Sequence, residues 1–175
     1  VESLGAKFIE VISTESQGAE AKNGYANEMS EEYAEKQNAL IHETLKKQDI
    51  VITTALIPGK PAPVLITEEM IKDMNPGSVI VDLAVGSGGN CPISEIDKVV
   101  TKYGITLIGH SNMAGLVPGD ASALYSRNLV NFITPMIDPE TNALAINWDD
   151  EIIAGTAITH DGQLIHPIFA SGEGK

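Results

Sequence analysis

Cationic residues are scarce in this chain, it has a single cysteine, and it has no long apolar run. Each of these features excludes a class of partner or structure. Its 175 residues include 11 lysines and arginines against 24 acids, so the formal net charge at pH 7 is −13. A surface of this sign repels the phosphates of nucleic acids and anionic lipids, so neither is an expected partner. The single cysteine, Cys91, excludes an internal disulfide framework and is typical of a reducing compartment. No apolar run approaches the ~18 residues of a membrane-spanning helix.

The order of apolar segments along the chain predicts an α/β fold. Short runs rich in β-branched residues alternate with segments of helical periodicity, which is typical of a parallel sheet covered by helices. The first long helix begins at the N-cap Ser30 and continues to residue 47, and Thr67 caps a shorter helix that reaches Met74. Residues 6–12 alternate apolar and polar side chains and predict a half-exposed strand. The predicted buried strands cover residues 49–54, 78–82 and 105–109.

The remaining segments give weaker patterns. Residues 93–103 are predicted to be helical in part. A long apolar helix begins at Asp120 or Ser122 and ends near Ile137, where an Asp-Pro pair follows. Two short strands joined by an acidic turn are expected in the tail, at residues 143–147 and 152–159.

Three loops rich in glycine and proline fall at one edge of the predicted sheet. They follow strands that end at Thr54, Asp82 and Gly109, and parallel sheets bind ligands beyond the carboxyl ends of their strands. The sequence therefore predicts one ligand cleft formed by these loops. The run at residues 86–89 fails the dinucleotide fingerprint, because Cys91 stands where a third glycine is needed. It is either a structural turn or a flexible loop that lets a ligand approach the backbone.

Few polar side chains stand out as chemical groups. Gln37 shares a helical face with Tyr33 and Ile41, so its amide either bonds a neighbouring backbone group or reaches a ligand. His110 is the one histidine at the predicted cleft, where a structural role is the alternative. Cys91 is predicted to be a small buried hydrophobe rather than a nucleophile. No residue set suggests acid–base catalysis, and no spacing suggests a metal site.

Three long motifs give the chain a resemblance to a known family. They are T-T-A-L-I-P-G-K-P-A-P at 53–63, D-L-A-V-G-S-G-G-N-C-P at 82–92, and H-S-N-M-A-G-L-V-P-G-D-A-S-A-L-Y-S-R-N-L-V-N-F at 110–132. Together with G-Y-A-x-x-M at 24–29 and His-Pro at 166–167, these runs closely resemble the proton-translocating NAD(P) transhydrogenases. The similarity is to the NAD(H)-binding component, domain I of the alpha subunit, and it extends over essentially the whole chain.

This resemblance implies an architecture. Domain I consists of two Rossmann-like lobes and forms a homodimer. Residues 1–115 would be part of the NAD-binding lobe, a Rossmann-like parallel sheet with flanking helices that lacks its first βαβ unit. Residues 116–175 would supply a long crossover helix and the C-terminal part of the second lobe. The chain is therefore expected to be the C-terminal half of domain I.

The resemblance also implies an activity and its partners. Hydride would pass between NADH on domain I and NADP on domain III, and a membrane domain would couple the transfer to proton movement. The component would lie peripherally on the cytoplasmic face of the bacterial inner membrane, or on the equivalent matrix side.

The residues implied to contact NAD(H) come from three segments. The first belongs to a mobile loop that closes over the cofactor, the second lies on the first long helix, and the third faces the adenosine side. In that order they are Gly24, Tyr25 and Met29; Gln37; and Thr54, Ala55 and Leu56.

Two other functions remain open. Alanine dehydrogenases share the fold and an I-P-G-x-x-A-P loop, but their pattern places a catalytic aspartate where this chain has Gly86. Oxidation of an amino acid needs a general acid or base, whereas hydride transfer between two nicotinamides needs none, so Gly86 favours a transhydrogenase. The third possibility is a non-catalytic module that senses nucleotide or serves assembly.

Overall fold

The structure is a computed structural model, and it describes residues 2–11, 30–57, 59–166 and 169. The chain divides into two compact units, Val1–Met113 and Ala114–Lys175. The assignment of residues 1–115 and 116–175 to two different lobes stays a prediction.

A four-stranded sheet organises the first unit. Its strands are β1 (Ile50–Thr53), β2 (Val79–Asp82), β3 (Val99–Lys102) and β4 (Ile105–Ile108), in the order β1-β2-β4-β3. β1, β2 and β4 are parallel, whereas β3 pairs with β4 in the antiparallel direction. This mixed, largely parallel sheet with flanking helices confirms the predicted Rossmann-like α/β fold class.

Two helices of the first unit begin where their capping residues predict. The Ser30 side chain accepts a hydrogen bond from the backbone N–H of Tyr33 and opens α1 (Glu31–Leu45). Thr67 caps α2 (Glu68–Lys72) in the same way, through the N–H of Met70. Both helices pack on one face of the sheet, with a core that joins α1, α2, β2 and β4: Leu45, Ile66, Met70, Ile71, Met74, Ile80, Cys91, Ile105 and Leu107.

Three predictions for this unit are wrong. Residues 6–11, the described part of the predicted strand 6–12, form no strand within the described chain. The predicted buried strand at 49–54 exists, but Ile50 and Ile52 point away from the core and are exposed. Residues 99–102 form a strand instead of a helix, because Tyr103 and Gly104 both adopt positive φ, at 55° and 80°. That pair makes the tight turn of a β-hairpin, which fixes β3 beside β4.

The second unit contains helices and one small hairpin. α3 (Pro118–Ile133) begins at Pro118, slightly before the predicted Asp120, and a short 3-10 helix (Thr134–Met136) follows it. α4 (Glu151–Thr156) replaces most of the strand predicted at 152–159, because Asp150 caps two N–H groups at the start of that segment. The strands of the hairpin are β5 (Thr159–His160) and β6 (Gln163–Leu164).

The other strand predicted in the tail, at 143–147, is reduced to a single bridge between Ile137 and Leu144. Within the residues that the structure describes, no helix combines the length and the apolar character that crossing a bilayer requires.

Candidate functional site at the carboxyl edge of the sheet

The loops that follow β1, β2 and β4 leave the sheet at the same edge. In the parallel register Thr53 lies opposite Asp82, and Val81 lies opposite Ile108, so the three strands end side by side. The loop after β1 is rich in proline, and the loop after β2 is rich in glycine. This is the arrangement from which parallel sheets build ligand clefts.

A fully buried carboxyl group organises the loop after β2. Oδ1 of Asp82 accepts hydrogen bonds from the backbone N–H groups of Ala84 at 3.0 Å and Asn90 at 3.1 Å. Oδ2 accepts from the N–H of Cys91 at 3.1 Å, and the Thr53 hydroxyl lies 3.4 Å from Oδ1. Because a buried carboxyl group is costly unless it is hydrogen-bonded, these donors fold the loop back onto the end of its own strand.

Asn90 joins the loop after β1 to the loop after β2. Its side-chain oxygen accepts from the N–H of Ala55 at 3.0 Å, and its amide nitrogen donates to the carbonyls of Ala55 at 2.9 Å and Pro63 at 2.8 Å. Its own carbonyl accepts from the N–H groups of Leu65 and Ile66. The side chain is fully buried, so its hydrogen bonds to Ala55 and Pro63 fix the start and the end of the proline-rich loop.

Glycine is required at one position of the loop after β2. Gly89 has a φ of +83°, and a Cβ atom there would lie 2.7 Å from Oδ2 of Asp82. The Ser87 carbonyl accepts from the N–H of Ala62, which adds a second link to the proline-rich loop. Cys91 is fully buried, as predicted, and burial raises the pKa of its thiol.

The loop after β4 is fixed by the turn that precedes β3. Gly109 lies so close to this turn that a Cβ atom would be 2.4 Å from the carbonyl oxygen of Glu95. Two residues on, Ser111 donates to Oδ1 of Asp97 through both its hydroxyl, at 2.6 Å, and its N–H, at 3.0 Å. These two donors lower the pKa of the Asp97 carboxyl group. Lys98 and Lys102 lower the pKa of Glu95 to about 2.

The structure brings together part of the predicted site. Ala55 is half-buried and held by Asn90, whereas Thr54 and Leu56 are exposed at the edge. Leu56 therefore presents an apolar surface beside the glycine-rich loop. Gly24, Tyr25 and Met29 lie outside the described residues, so their predicted role is not addressed by the geometry.

Gln37 lies elsewhere on the unit, in the wall of a cavity of about 590 Å³ between α1 and residues 8–11. Tyr33 and Ile41 line the same cavity, which confirms the shared helical face, but none of the described residues of the loop after β1 lines it. A short connection joins α1 to β1, and side chains of both elements pack in one core.

His110 is half-buried and immediately precedes Ser111 at the predicted edge. Three residues that shape this edge were not singled out from the sequence: Asp82, Asn90 and Asp97. A signal existed for the first, since an acid that ends a buried strand needs donors, and the following glycine-rich loop supplies backbone N–H groups. No local pattern identifies Asp97, because its partner is 14 residues away.

The comparisons with known proteins agree with the fold described above. Residues 1–167 match the family model described as alanine dehydrogenase/PNT, C-terminal domain. An NAD(P) transhydrogenase alpha-subunit polypeptide of Rhodospirillum rubrum is 53% identical over 174 residues, which are 99% of this chain and 45% of that protein. Alanine dehydrogenase 1 of Staphylococcus aureus is 31% identical over 150 residues, which are 79% of this chain and 40% of that protein.

A solved structure is also similar. The transhydrogenase from Sinorhizobium meliloti superposes with a TM-score of 0.66 at 48% identity, over 94% of this chain and 41% of that one. The chain spans less than half the length of the transhydrogenase relatives that it matches. The match to the family model over residues 1–167 shows that the chain belongs to the alanine dehydrogenase/PNT C-terminal domain family.

Proposed function

We propose that this chain is part of the NAD(H)-binding component of a proton-translocating NAD(P) transhydrogenase. The observation that carries the proposal is Gly86, in the loop after β2. Its φ is not in the left-handed region, and a Cβ atom there would meet only the Cβ of Ser111, at 3.8 Å. Neither backbone nor packing therefore requires glycine at this position, so an acidic side chain would have room here, yet none is present.

The proposed reaction explains that absence. NADH bound at the edge would supply a hydride from C4 of its nicotinamide ring, and NADP⁺ would accept it to give NAD⁺ and NADPH. No oxygen or nitrogen atom gains or loses a proton in this exchange, so no general acid is needed. Oxidation of an amine does require proton transfer. The 53% identity to a transhydrogenase subunit, against 31% to an alanine dehydrogenase, supports the same choice.

The loops at the edge would hold the dinucleotide by shape and by backbone groups. Leu56 and Ile57 expose apolar surface where the adenosine would lie, and Asn90 fixes the loop that carries them through Ala55. Thr54 completes this contact, and Gln37 would reach the nucleotide from α1. Because the chain carries −13, we expect the pyrophosphate to be held by N–H groups and helix ends rather than by side-chain cations.

The remaining aspects of the proposal rest on family resemblance. Gly24, Tyr25 and Met29 would form the loop that closes over NAD(H). The partners would be a second copy of domain I, the NADP(H)-binding domain III and the membrane domain. The component would be peripheral, on the cytoplasmic face of the bacterial inner membrane or the equivalent matrix side.

The test determines which second substrate reacts with the NAD cofactor on this protein, NADP⁺ or L-alanine. The full-length protein is mixed with an NADP-binding domain III, and reduction of an NADP⁺ analogue by NADH is followed by absorbance. We expect NADH-dependent transfer and no reduction of NAD⁺ by L-alanine. A protein that oxidises L-alanine would contradict the proposal, and one that binds NADH without either activity would indicate a non-catalytic nucleotide-sensing or assembly module.

Gly86 itself provides the matched variants. Gly86→Ala adds a methyl group at ordinary contact distance from Ser111, so we expect transfer within about threefold of the unaltered protein. Gly86→Asp adds a charge beside the proposed ring site, and we expect transfer to fall by tenfold or more because an unpaired carboxylate is placed in the cleft. Equal rates for the alanine and aspartate variants would place the reacting ring away from Gly86.

Alanine dehydrogenase is the second candidate, and one observation favours it: the matching family model covers both enzymes. The room around Gly86 also means that an acidic side chain would fit there. L-alanine oxidation by the Gly86→Asp variant, but not by the unaltered chain, would place the two activities on one scaffold.

A further inference from the structure

The pair formed by Asp97 and Ser111 fixes the loop after β4 and has no contact with the cofactor in the function proposed above. Asp97 belongs to the turn before β3, and its carboxyl oxygen accepts both the hydroxyl and the N–H of Ser111. Two backbone hydrogen bonds strengthen the link: the N–H of Asp97 donates to Gly109, and the N–H of Gly109 donates to Lys98. Four hydrogen bonds therefore connect a turn to the loop after β4.

The backbone around this link is specialised. Asp97 has a φ of 56°, which is uncommon for a residue with a side chain. Gly109 leaves no space for a Cβ atom against the carbonyl of Glu95. A residue with positive φ, a glycine required by packing and a double acceptor thus converge on the placement of one serine.

Ser111 also faces the loop after β2. Its Cβ lies 3.8 Å from the position that a Cβ on Gly86 would occupy, so the two loops meet at this point. Neighbouring strands are ~4.8 Å apart, which puts the ends of β1 and β4 about 10 Å from each other along the edge. If the adenosine lies against the loop after β1, the reactive ring of an extended dinucleotide lies toward Gly86 and Ser111.

The chemistry of the pair specifies what Ser111 can recognise. A carboxylate only accepts hydrogen bonds, so the hydroxyl proton of Ser111 is committed to Asp97. The lone pairs of the hydroxyl oxygen remain, and they accept from an N–H donor. The nicotinamide ring carries one such donor beside its reactive carbon, the NH₂ group of its carboxamide.

We propose, on the basis of the proposed function, that Asp97 is a positioning residue that holds Ser111 as a hydrogen-bond acceptor for the carboxamide NH₂ of the nicotinamide. The contact selects one face and one rotation of the ring beside Gly86. Asp97 acts through Ser111 and does not touch the cofactor itself.

The test compares two dinucleotides in the full-length protein. NADH carries the carboxamide NH₂, and reduced 3-acetylpyridine adenine dinucleotide has a methyl group in its place. Titration by fluorescence or calorimetry gives the ratio of the two dissociation constants. We expect the unaltered protein to prefer NADH by about two- to tenfold, the factor that one neutral hydrogen bond supplies. Ser111→Ala should bring this ratio to about one.

Three further variants separate positioning from general structure. Asp97→Ala should lower the ratio toward one, whereas Asp97→Asn keeps an oxygen that accepts from Ser111 and should retain most of the preference. Asp138→Ala is the matched control, because Asp138 likewise accepts two N–H groups, from Glu140 and Thr141, and it should leave the ratio unchanged.

The outcomes distinguish this inference from the proposed function. In one outcome the unaltered protein binds NADH, while Ser111→Ala weakens the binding of both dinucleotides by the same factor. In that case Ser111 does not contact the carboxamide and the inference is wrong, while the proposed function stands. An Asp97→Ala variant with an unchanged ratio would also overturn it. If the unaltered protein binds neither dinucleotide, the proposed function fails and the inference fails with it.

Discussion

The two units of the chain are stabilised in different ways. In the first unit, apolar side chains from α1, α2 and the sheet form one core, and the buried Asp82 and Asn90 are fully hydrogen-bonded beside it. In the second unit no residue of α3 is buried, and even its large apolar side chains Leu124, Tyr125 and Val130 are each more than 60% exposed. Its described structure depends mainly on local capping, as by Asp150.

The difference shows where tertiary contacts determine conformation. Loops in the first unit are held by groups distant in sequence, as when Asn90 binds Ala55 across 35 residues. In the second unit, α4 begins at a local signal, the cap formed by Asp150. Substitutions at buried polar groups of the first unit should therefore cost far more than equivalent changes in the second.

The largest effect is expected at Asp82. Replacing it with alanine leaves the N–H groups of Ala84, Asn90 and Cys91 without their acceptor, at about 1–3 kcal/mol for each unsatisfied buried group. We expect Asp82→Ala to lower the free energy of unfolding by about 3 kcal/mol or more. Urea denaturation followed by circular dichroism measures this. The exposed Asp149 of the second unit is the control, and its alanine variant should stay within about 0.5 kcal/mol.

Glycine-to-alanine substitutions should change stability with opposite sign in the two units. At Gly109 the new methyl group would lie 2.4 Å from a backbone oxygen that cannot rotate away, so we expect a loss of about 1–3 kcal/mol. At Gly155, inside α4, nothing lies within 4 Å, and alanine should stabilise by about 0.4–1 kcal/mol. Thermal midpoints measure both, and a Gly109→Ala variant as stable as Gly155→Ala would contradict the described packing of the edge.

Chemical labelling of Cys91 probes the core of the first unit without any substitution. The thiol is fully buried, and burial raises its pKa, so few thiolates form at pH 8 in the folded protein. We expect a thiol reagent such as DTNB to react on the order of 100-fold more slowly with the folded chain than with the chain in urea, because reaction requires local opening. Immediate reaction of the folded chain would mean that the core of the first unit is open.

Much of the first unit could be predicted because its signals are local. Ser30 and Thr67 fixed the starts of their helices, and the β-branched runs located β1, β2 and β4. Residues 99–102 were missed because the deciding feature is a turn with positive φ at Tyr103, a residue that rarely marks such turns. The second unit was harder still, since the cap at Asp150 outweighed the β-branched composition of the segment it precedes.

The candidate site was predictable in position but not in construction. The alternation of strands and helices predicted a parallel sheet and so placed the loops after Thr54, Asp82 and Gly109 at one edge, and the parallel register brings the strand ends together there. The hydrogen bonds of Asn90 to the proline-rich loop and the Asp97–Ser111 pair join residues 14 to 35 positions apart. The periodicity of apolar residues along the sequence carries no information about such contacts.

The central claim is that the carboxyl edge of β1, β2 and β4 binds NAD(H). The most direct measurement is a map of backbone amide chemical shifts in the full-length protein as NADH is added. We predict the largest changes at residues 54–57, 84–90 and 109–112. The opposite edge, at residues 75–78 and 103–104, serves as the internal control and should not change. Shifts confined to that opposite edge, or none at millimolar NADH, would contradict the account.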